Sequence, residues 1–287
     1  MQSIEKILSD EIISKIFQND YEILDFAFSS SKFLIFLIKI DKIYLCFLEN
    51  GSIRKVPIDF NTIKSGKFRP NKISIDSENR IYAFMEEKKS ESVPSCVKVK
   101  FDGEVESYYF FKNHISNLLI DSEGNIFVSY HKMDEFLRDN KLLEKYDASG
   151  DLITSRFPSE QVQITTIRDF FLDKKDKLYV VGINEQFGNM KIYYFIKLSS
   201  YLDIIDIFID MEQFFQSELS NITLNSQNNI FVLLKKSNTL KKLDQEKNFI
   251  DIKLGEFSST IKKILILDDN IYLTTRKELI KITGLEK

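Results

Sequence analysis

The sequence predicts an all-β fold, a six-bladed β-propeller of four-stranded antiparallel blades. Three observations support this prediction: a strand–turn–strand motif that recurs along the chain, the spacing of its copies, and a composition rich in strand-forming residues. The 287 residues include 25 Phe and 12 Tyr, and 43% of the chain is hydrophobic. Such a composition suits sheet faces that pack against one another.

The motif is clearest at residues 118–128, which read LLIDSEGNIFV. An apolar run ends in Asp121, four small or polar residues follow, and a second apolar run begins. Asp121 and Ser122 can hydrogen-bond nearby backbone groups, and Gly124 and Asn125 tolerate the positive φ that tight turns often require. The motif therefore predicts a β-hairpin.

Copies of the motif occur at regular intervals. The Asp or Asn anchors at positions 76, 121, 173, 225 and 268 lie 45, 52, 52 and 43 residues apart, and residues 26–36 form a degenerate sixth copy. Six repeats of this length, each with several strand-like runs, are typical of a propeller. The predicted strands are 23–28, 33–40, 42–48 and 52–59 in blade one; 72–76, 80–85, 97–101 and 105–111 in blade two; 118–121, 125–130, 142–146 and 152–157 in blade three; 169–173, 177–183, 191–198 and 204–209 in blade four; 221–225, 229–234, 239–243 and 248–253 in blade five; and 270–275 and 278–283 in blade six.

The last blade lacks a fourth strand at the C-terminal end of the chain. A closed ring leaves no unpaired edge, so a segment of residues 1–22 is expected to complete it. Residues 3–17 have an apolar spacing closer to a helix than to a strand, and residues 12–17 are the favoured closing strand. We therefore assign residues 1–22 as an N-terminal helix or closing segment, and residues 23–287 as a single propeller domain.

Charge and targeting signals exclude several classes of partner. The formal net charge is −3, with 40 basic and 43 acidic residues spread along the chain. This mixture predicts no binding to nucleic acid or to a membrane. The N-terminus lacks the apolar core of a secretory signal, and the two cysteines are expected to be free thiols. We expect a cytoplasmic monomer.

The predicted connections differ between the two ends of the blades. Turns from first to second and from third to fourth strands are short, whereas the other connections are longer. We call the end that carries the longer connections the long-loop face. Binding sites concentrate on loops held by a rigid scaffold, so this face and the channel mouth within it are the expected location of any site. The long connections are 61–70, 86–95, 131–141, 159–166, 184–190 and 211–219, the last of which is predicted to include a short helix.

The repeated pattern, in particular IDSEGNIFV at 120–128, resembles the repeat of NHL-type and gluconolactonase-like six-bladed propellers. The resemblance covers about residues 23–283 and concerns the fold, since such propellers include lactonases, lyases and interaction modules. Lactonase-like members would imply a divalent cation at the channel mouth, held by acidic and Asn residues. The positions five residues before each anchor do not suit such an ion, because only Asn71 fits the expected ligands and two positions carry positively charged side chains that would repel a cation. These positions are Leu24, Asn71, Ser116, Arg168, Ser220 and Lys263.

One position later, the residues form a partial ring of oxygen-bearing side chains. This ring could hold a cation or a polar ligand, or it could surround a water-filled channel in which Lys72 and Arg168 neutralise the carboxylates. We expect no metal cofactor. The ring positions are Asp25, Lys72, Asn117, Asp169, Asn221 and Ile264.

The two histidines of the chain, His114 and His131, bracket the first hairpin of blade three at the long-loop face. Either could act as an acid or base near neutral pH, or both could be surface residues.

Two functions follow from these features. The preferred one is a non-catalytic scaffold that binds a protein or peptide through the long-loop face. The alternative is a small-molecule hydrolase or lyase with its site at the channel mouth. A deep, convergent polar pocket would favour the alternative.

Overall fold

The computed structural model describes the backbone of most of the chain. The described residues are 3–8, 20–29, 31, 33–49, 52–58, 68–86, 93–111, 115–130, 143–156, 164, 166–173, 175–187, 190–210, 219–225, 227, 229–234, 239–243, 249–254, 260–268 and 270–283.

The described strands form six antiparallel sheets of four strands, and these sheets are the six blades of a propeller. In blades one to five, four consecutive strands pair in chain order, and the first strands of neighbouring blades contact each other around the central channel. The predicted fold class is confirmed. The first three blades are β2 (Glu22–Phe28), β3 (Leu34–Lys39), β4 (Ile43–Glu49) and β5 (Ser52–Pro57); β6 (Lys72–Ile75), β7 (Ile81–Phe84), β8 (Cys96–Val99) and β9 (Val105–Tyr109); and β10 (Ile115–Ile120), β11 (Ile126–Tyr130), β12 (Leu143–Tyr146) and β13 (Leu152–Arg156).

The remaining blades follow the same plan, with one exception at the ring closure. Blade six takes its fourth strand from the N-terminal part of the chain, where β1 pairs with β24. The strands are β14 (Thr166–Leu172), β15 (Leu178–Phe187), β16 (Met190–Leu198) and β17 (Ile204–Asp210); β18 (Leu219–Leu224), β19 (Ile230–Leu234), β20 (Thr239–Leu243) and β21 (Phe249–Lys253); and β22 (Lys263–Leu267), β23 (Asn270–Thr274), β24 (Leu279–Thr283) and β1 (Ser3–Leu8).

The recurring motif forms the turn between the first and second strands, as predicted. In blade three, Asp121 Oδ1 accepts hydrogen bonds from the backbone N–H groups of Glu123 at 3.0 Å and Asn125 at 2.8 Å. Gly124 has a φ of 86°, so this residue rather than Asn125 takes the left-handed conformation. The anchor side chain therefore fixes the turn by bonding its own backbone. Asp76, Asp173 and Asn225 make the equivalent pair of bonds in blades two, four and five.

The described core consists of apolar clusters between neighbouring blades. One cluster joins blades one and two, and similar clusters follow around the ring. The cluster between blades six and one includes Ile23, Phe26 and Leu279, with Ile7 of β1 packed against it. Burial of these side chains between sheets supplies the main force that closes the ring. Cys46 and Cys96 are buried free thiols.

Two expectations from the sequence need correction, and a third stays a prediction. Residues 3–8 form a strand and not a helix, and they close blade six; residues 12–17 lie outside the described residues. The connection predicted at 184–190 is wrong, because β15 runs to Phe187 and β16 begins at Met190. The helix predicted within 211–219 lies outside the described residues except for Leu219, which begins β18.

Among the described residues, the structure has no helix with the length and apolar character that crossing a membrane requires.

Candidate functional site

The candidate site lies at the channel mouth on the long-loop face, where the first strand of each blade begins. We call these six first strands the inner strands. In β2, β10, β14 and β18 the pairing register shifts by one residue near the start of the strand. The strand residue that the pairing register skips lies immediately before Asp25, Asn117, Asp169 and Asn221, respectively. A bulge redirects the side chain that follows it. These bulges also explain why β10, β14 and β18 begin two or three residues earlier than predicted.

The mouth is surrounded by one residue from each inner strand, and we call this set the mouth ring. Its sixth member is Lys263 and not the predicted Ile264. Lys263 pairs with Thr274 and Leu267 pairs with Asn270, so Leu267 rather than Asp268 takes the position of the anchor. The turn of blade six is one residue shorter than the other turns. Counting back from Asp268 therefore reached Ile264, one position after the true ring residue. The mouth ring is therefore Asp25, Lys72, Asn117, Asp169, Asn221 and Lys263.

The order of charges around the mouth ring divides it into two halves. Asp25 of blade one lies between the lysines of blades six and two, and Asp169 of blade four lies between the asparagines of blades three and five. The two carboxylates belong to opposite blades. One half of the mouth is therefore rich in ammonium groups, and the other presents amides around a carboxylate.

Asp169 is a buried carboxylate whose two oxygens are fully engaged. Oδ1 accepts from Asn117 Nδ2 and from the N–H of Phe170, both at 2.9 Å. Oδ2 accepts from the N–H of Ile222 at 3.0 Å and from Asn221 Nδ2 at 3.1 Å. Burial raises the pKa of Asp169, and the N–H of Ile222 together with the positive charge of Lys72 opposes this rise. Four donors occupy the lone pairs that a general base would need.

Asp25, also buried, is engaged on both oxygens. Oδ1 forms an ion pair with Lys263 Nζ at 2.8 Å, and Oδ2 accepts the N–H of Ile73 in blade two at 2.9 Å. The Lys263 ammonium also donates to the carbonyl of Phe26 at 2.8 Å. The negative charge of Asp25 is thus balanced within the mouth ring.

Lys72 is the more loosely held of the two lysines in the mouth ring. Its Nζ lies 3.4 Å from Glu86 Oε1, and its side chain is 36% exposed. Burial lowers the pKa of Lys72, but the negative charges of Asp25, Glu86 and Asp169 outweigh that effect and raise the pKa overall. Lys72 is therefore protonated at neutral pH.

Glu86 is held in place by Asn71. Asn71 Nδ2 donates to Glu86 Oε2 at 2.7 Å, and Asn71 Oδ1 accepts the backbone N–H of Glu86 at 3.1 Å. This pair of bonds directs one carboxylate oxygen of Glu86 toward Lys72. Asn71 thus acts on Glu86 as a positioning residue.

The mouth ring opens into a cavity of about 480 Å³ that continues down the channel. Side chains alternate between the two faces of a strand, so the residue two positions after each ring member also faces the channel. We call these six residues the middle tier. Apolar side chains predominate in it: its members are Ala27, Ser74, Leu119, Phe171, Thr223 and Leu265.

The donor set of the mouth does not fit a divalent cation. Calcium requires six to eight oxygen ligands, preferably carboxylates with free lone pairs. Asp25 is paired with Lys263, Asp169 already accepts four hydrogen bonds, and two ammonium groups stand in the same ring. In the described ranges, no three His, Cys, Asp or Glu side chains are grouped as metal ligands.

The structure brings most of the sequence-predicted site residues together. Arg168 is exposed and lines the cavity. Asn71 does not line the cavity itself, but it is hydrogen-bonded to Glu86, which does. His114 and His131 lie outside the described residues. Reasoning from the sequence missed Glu86, which follows the second strand of blade two and belongs to no repeated position. It also placed Lys263 one position outside the ring. The predicted residues that line the cavity are Asp25, Lys72, Asn117, Arg168, Asp169 and Asn221.

Comparison with solved structures identifies related folds. A virginiamycin B lyase from Staphylococcus aureus matches with a TM-score of 0.60 and 11% identity, over 99% of this chain and 100% of that one. A gluconolactonase from Xanthomonas campestris matches with a TM-score of 0.64 and 10% identity over 98% of this chain and 89% of that one. This chain has the fold of the gluconolactonase-like six-bladed propellers. A luciferin-regenerating enzyme has a TM-score of 0.64 and 12% identity over 99% and 96% of the two chains. No protein-family model and no curated protein sequence matches this chain.

Proposed function

We propose that this propeller binds a small polar molecule at the mouth of its central channel. The observation that carries this proposal is the cavity of about 480 Å³ into which side chains from all six inner strands converge. Small-molecule pockets typically have volumes of roughly 300–1,000 Å³ and combine an apolar lining with a few placed polar groups. The mouth ring and the middle tier supply these two components.

Catalysis at this site, as a hydrolase or lyase, is a second candidate. It is favoured by the charged Lys72 ammonium, which could stabilise negative charge developing on a carbonyl oxygen of a substrate. The similar folds named as a lyase and a gluconolactonase are consistent with such chemistry. A proton acceptor is still required, and Asp169 is unsuited because four donors occupy its oxygens. His114 and His131 remain the predicted acid–base candidates.

The scaffold function preferred from the sequence remains a prediction. Binding of a protein or peptide would use the longer connections, most of whose residues lie outside the described part of the chain. The cytoplasmic location and the monomeric state are likewise predictions. The cavity changes the order of preference, because a convergent pocket at the mouth favours a small ligand over a protein partner.

The binding proposal is tested by a thermal-shift screen of a library of polar metabolites. A compound that binds only the folded state must raise the melting temperature. The test variant is Ser74→Phe, which adds a ring to the middle tier and reduces the cavity. The control is Ser52→Phe, at an exposed position of the outer strand β5.

We expect compounds that stabilise the wild-type protein to stabilise Ser52→Phe equally and to lose their effect on Ser74→Phe. Both variants must first melt cooperatively without ligand. A screen without hits, or hits that act equally on both variants, would overturn the proposal.

A further inference from the structure

We propose that the ligand of this site is a small organic acid, with its carboxylate at Lys72 and an apolar body in the channel beneath. This inference rests on the proposed function and adds the chemical class of the ligand. Three features of the described residues carry it: the unfilled hydrogen-bonding capacity of Lys72, the internal carboxylate that already contacts it, and the apolar middle tier.

The Lys72 ammonium has donors to spare. An ammonium group carries three N–H donors. Its contact with Glu86 Oε1, at 3.4 Å, exceeds the roughly 2.7–2.9 Å of a good charge-assisted hydrogen bond. By contrast, Lys263 holds both Asp25 and the carbonyl of Phe26 at 2.8 Å. Lys72 is thus the ring lysine better able to accept a new anionic partner.

Glu86 shows what kind of group this location accepts. Its carboxylate, fixed by Asn71, is directed at Lys72 from the rim of the cavity. A ligand carboxylate would complement the same ammonium more closely and would compete with Glu86 for it. Glu86 is therefore a built-in competitor that lowers the affinity for the ligand.

The other carboxylates of the cavity do not prevent the approach of an anion. Asp25 is neutralised by Lys263, and Asp169 is surrounded by four donors. Arg168 adds a positive charge to the lining, and Lys262 is paired with Glu22 at 2.9 Å outside the ring. With charges so nearly balanced, the mouth suits a single negative charge better than a dianion such as phosphate.

The channel below the mouth ring suits an apolar body. Leu119, Phe171 and Leu265 of the middle tier line the cavity directly beneath the polar ring. A flat or short apolar group would pack on Phe171 and would remove the half-buried Leu119 and Leu265 side chains from water when the carboxylate reaches Lys72. Burial of such surface contributes to affinity in proportion to the apolar area removed from water, before the entropy losses of binding. A carboxylate without an apolar body would forgo this contribution.

The test uses four probes that separate charge from apolar body: 3-phenylpropionate, 3-phenylpropanol, 3-phenylpropylamine and acetate. Affinity is measured by isothermal titration calorimetry on the full chain. We expect 3-phenylpropionate to bind at least about tenfold more tightly than each of the others, because it alone combines both features. Lys72→Met should weaken 3-phenylpropionate at least about tenfold and leave 3-phenylpropanol unchanged.

Glu86→Gln provides the decisive second variant, since the amide removes the competing charge and can still bond Asn71. It should bind 3-phenylpropionate several-fold more tightly than the wild-type protein. Equal or weaker binding by Glu86→Gln would overturn the competitor role.

Equal or tighter binding of the amine or the alcohol, or no binding of the acid, would overturn the ligand class. The failure of the ligand class is distinguishable from failure of the binding proposal. If the library screen gives hits that depend on Ser74 but the acid does not bind, the site is real and the ligand class is wrong. If neither gives binding, both proposals fail.

Discussion

The carboxylate of Asp169 in blade four accepts a hydrogen bond of 3.0 Å from the backbone N–H of Ile222 in blade five. Asp25 reaches in the same way from blade one to Ile73 of blade two, and Asn221 reaches from blade five to Ile264 of blade six. The mouth ring therefore joins neighbouring blades as well as lining the cavity. A change in the ring affects stability and binding together.

Removing the charge of Asp169 should destabilise the fold. In Asp169→Asn, the new amide nitrogen faces donors where an oxygen accepted hydrogen bonds. Buried donors that lose their acceptor cost about 1–3 kcal/mol each, so we expect a loss of at least this size. Urea unfolding at neutral pH measures it. The matched control is Asp206→Asn on the exposed side of β17, which should change the free energy of unfolding by less than about 0.5 kcal/mol. Equal stability of both variants would contradict a stabilising role for the hydrogen bonds of the Asp169 carboxylate.

Gly103 in the outer turn of blade two lies against the outer strand of blade one. It has a φ of 90°, and a Cβ at this position would stand 2.2 Å from the carbonyl oxygen of Pro57. Gly103→Ala should therefore destabilise the protein by more than the roughly 1 kcal/mol expected from backbone strain alone.

The control for this substitution is Gly150→Ala. Gly150 has a φ of 95°, but the nearest atom to its Cβ would be Tyr109 Cδ1 at 3.2 Å. Both variants carry the same kind of backbone strain, and only Gly103→Ala adds a clash with backbone. Equal losses in urea unfolding would contradict the close approach of Gly103 to the Pro57 carbonyl.

Deleting residues 1–8 should open the ring at blade six. β1 pairs with β24 from Ser3 opposite Thr283 to Leu8 opposite Leu279, so the deletion leaves β24 as an unpaired edge. Exposed edges promote association between chains. We expect a lower melting temperature and concentration-dependent oligomers in sedimentation velocity. A synthetic peptide of residues 1–9 added in trans should restore both properties; oligomers that persist with the peptide would point to a cause other than the open edge.

The sequence predicted the blades because the first hairpin of a blade has a local cause. Asp121 bonds its own turn, so the same residue type recurs wherever that turn recurs. Closure was harder to predict, because residues 4, 7 and 8 have helical spacing and the partner strand lies at the other end of the chain. Glu86 had no signal at all, since its role depends on Asn71 and Lys72 and not on a repeated position. Lys263 was displaced by one deleted turn residue, which no local pattern reveals.

A buried polar cluster in blade three, on the side that packs against blade two, should make the protein sensitive to alkali. Tyr130 donates to Glu144 Oε2 at 2.5 Å and lies 2.9 Å from the Tyr146 hydroxyl, which also bonds Glu144. Burial, reinforced by these neighbours, raises the pKa of Tyr130 well above its ordinary value, and burial likewise raises that of Tyr146. Both phenols thus remain neutral in the folded protein when they would ionise in the unfolded chain.

The direction of the change in stability with pH follows from this difference in pKa between the folded and unfolded states. A group whose pKa is raised by folding contributes stability that is fully present below its unfolded pKa of about 10 and is lost as the pH rises further. Each such tyrosine should remove about 1.4 kcal/mol of stability per pH unit above about pH 10. Tyr130→Phe should lower stability at about pH 8 by roughly 1 kcal/mol, through the lost hydrogen bond. Above about pH 10 it should also make the free energy of unfolding fall less steeply with pH, by the share of one tyrosine, about 1.4 kcal/mol per pH unit.

Urea unfolding between about pH 8 and about pH 11 measures both effects. The control is Tyr201→Phe, because Tyr201 is 65% exposed and lies outside the buried cluster. If Tyr130→Phe keeps the full alkaline slope, the phenol of Tyr130 ionises in the folded protein as readily as in the unfolded chain. The pocket formed with Glu144 and Tyr146 would then be open to water, and the hydrogen-bonded network of blade three would not be buried against blade two.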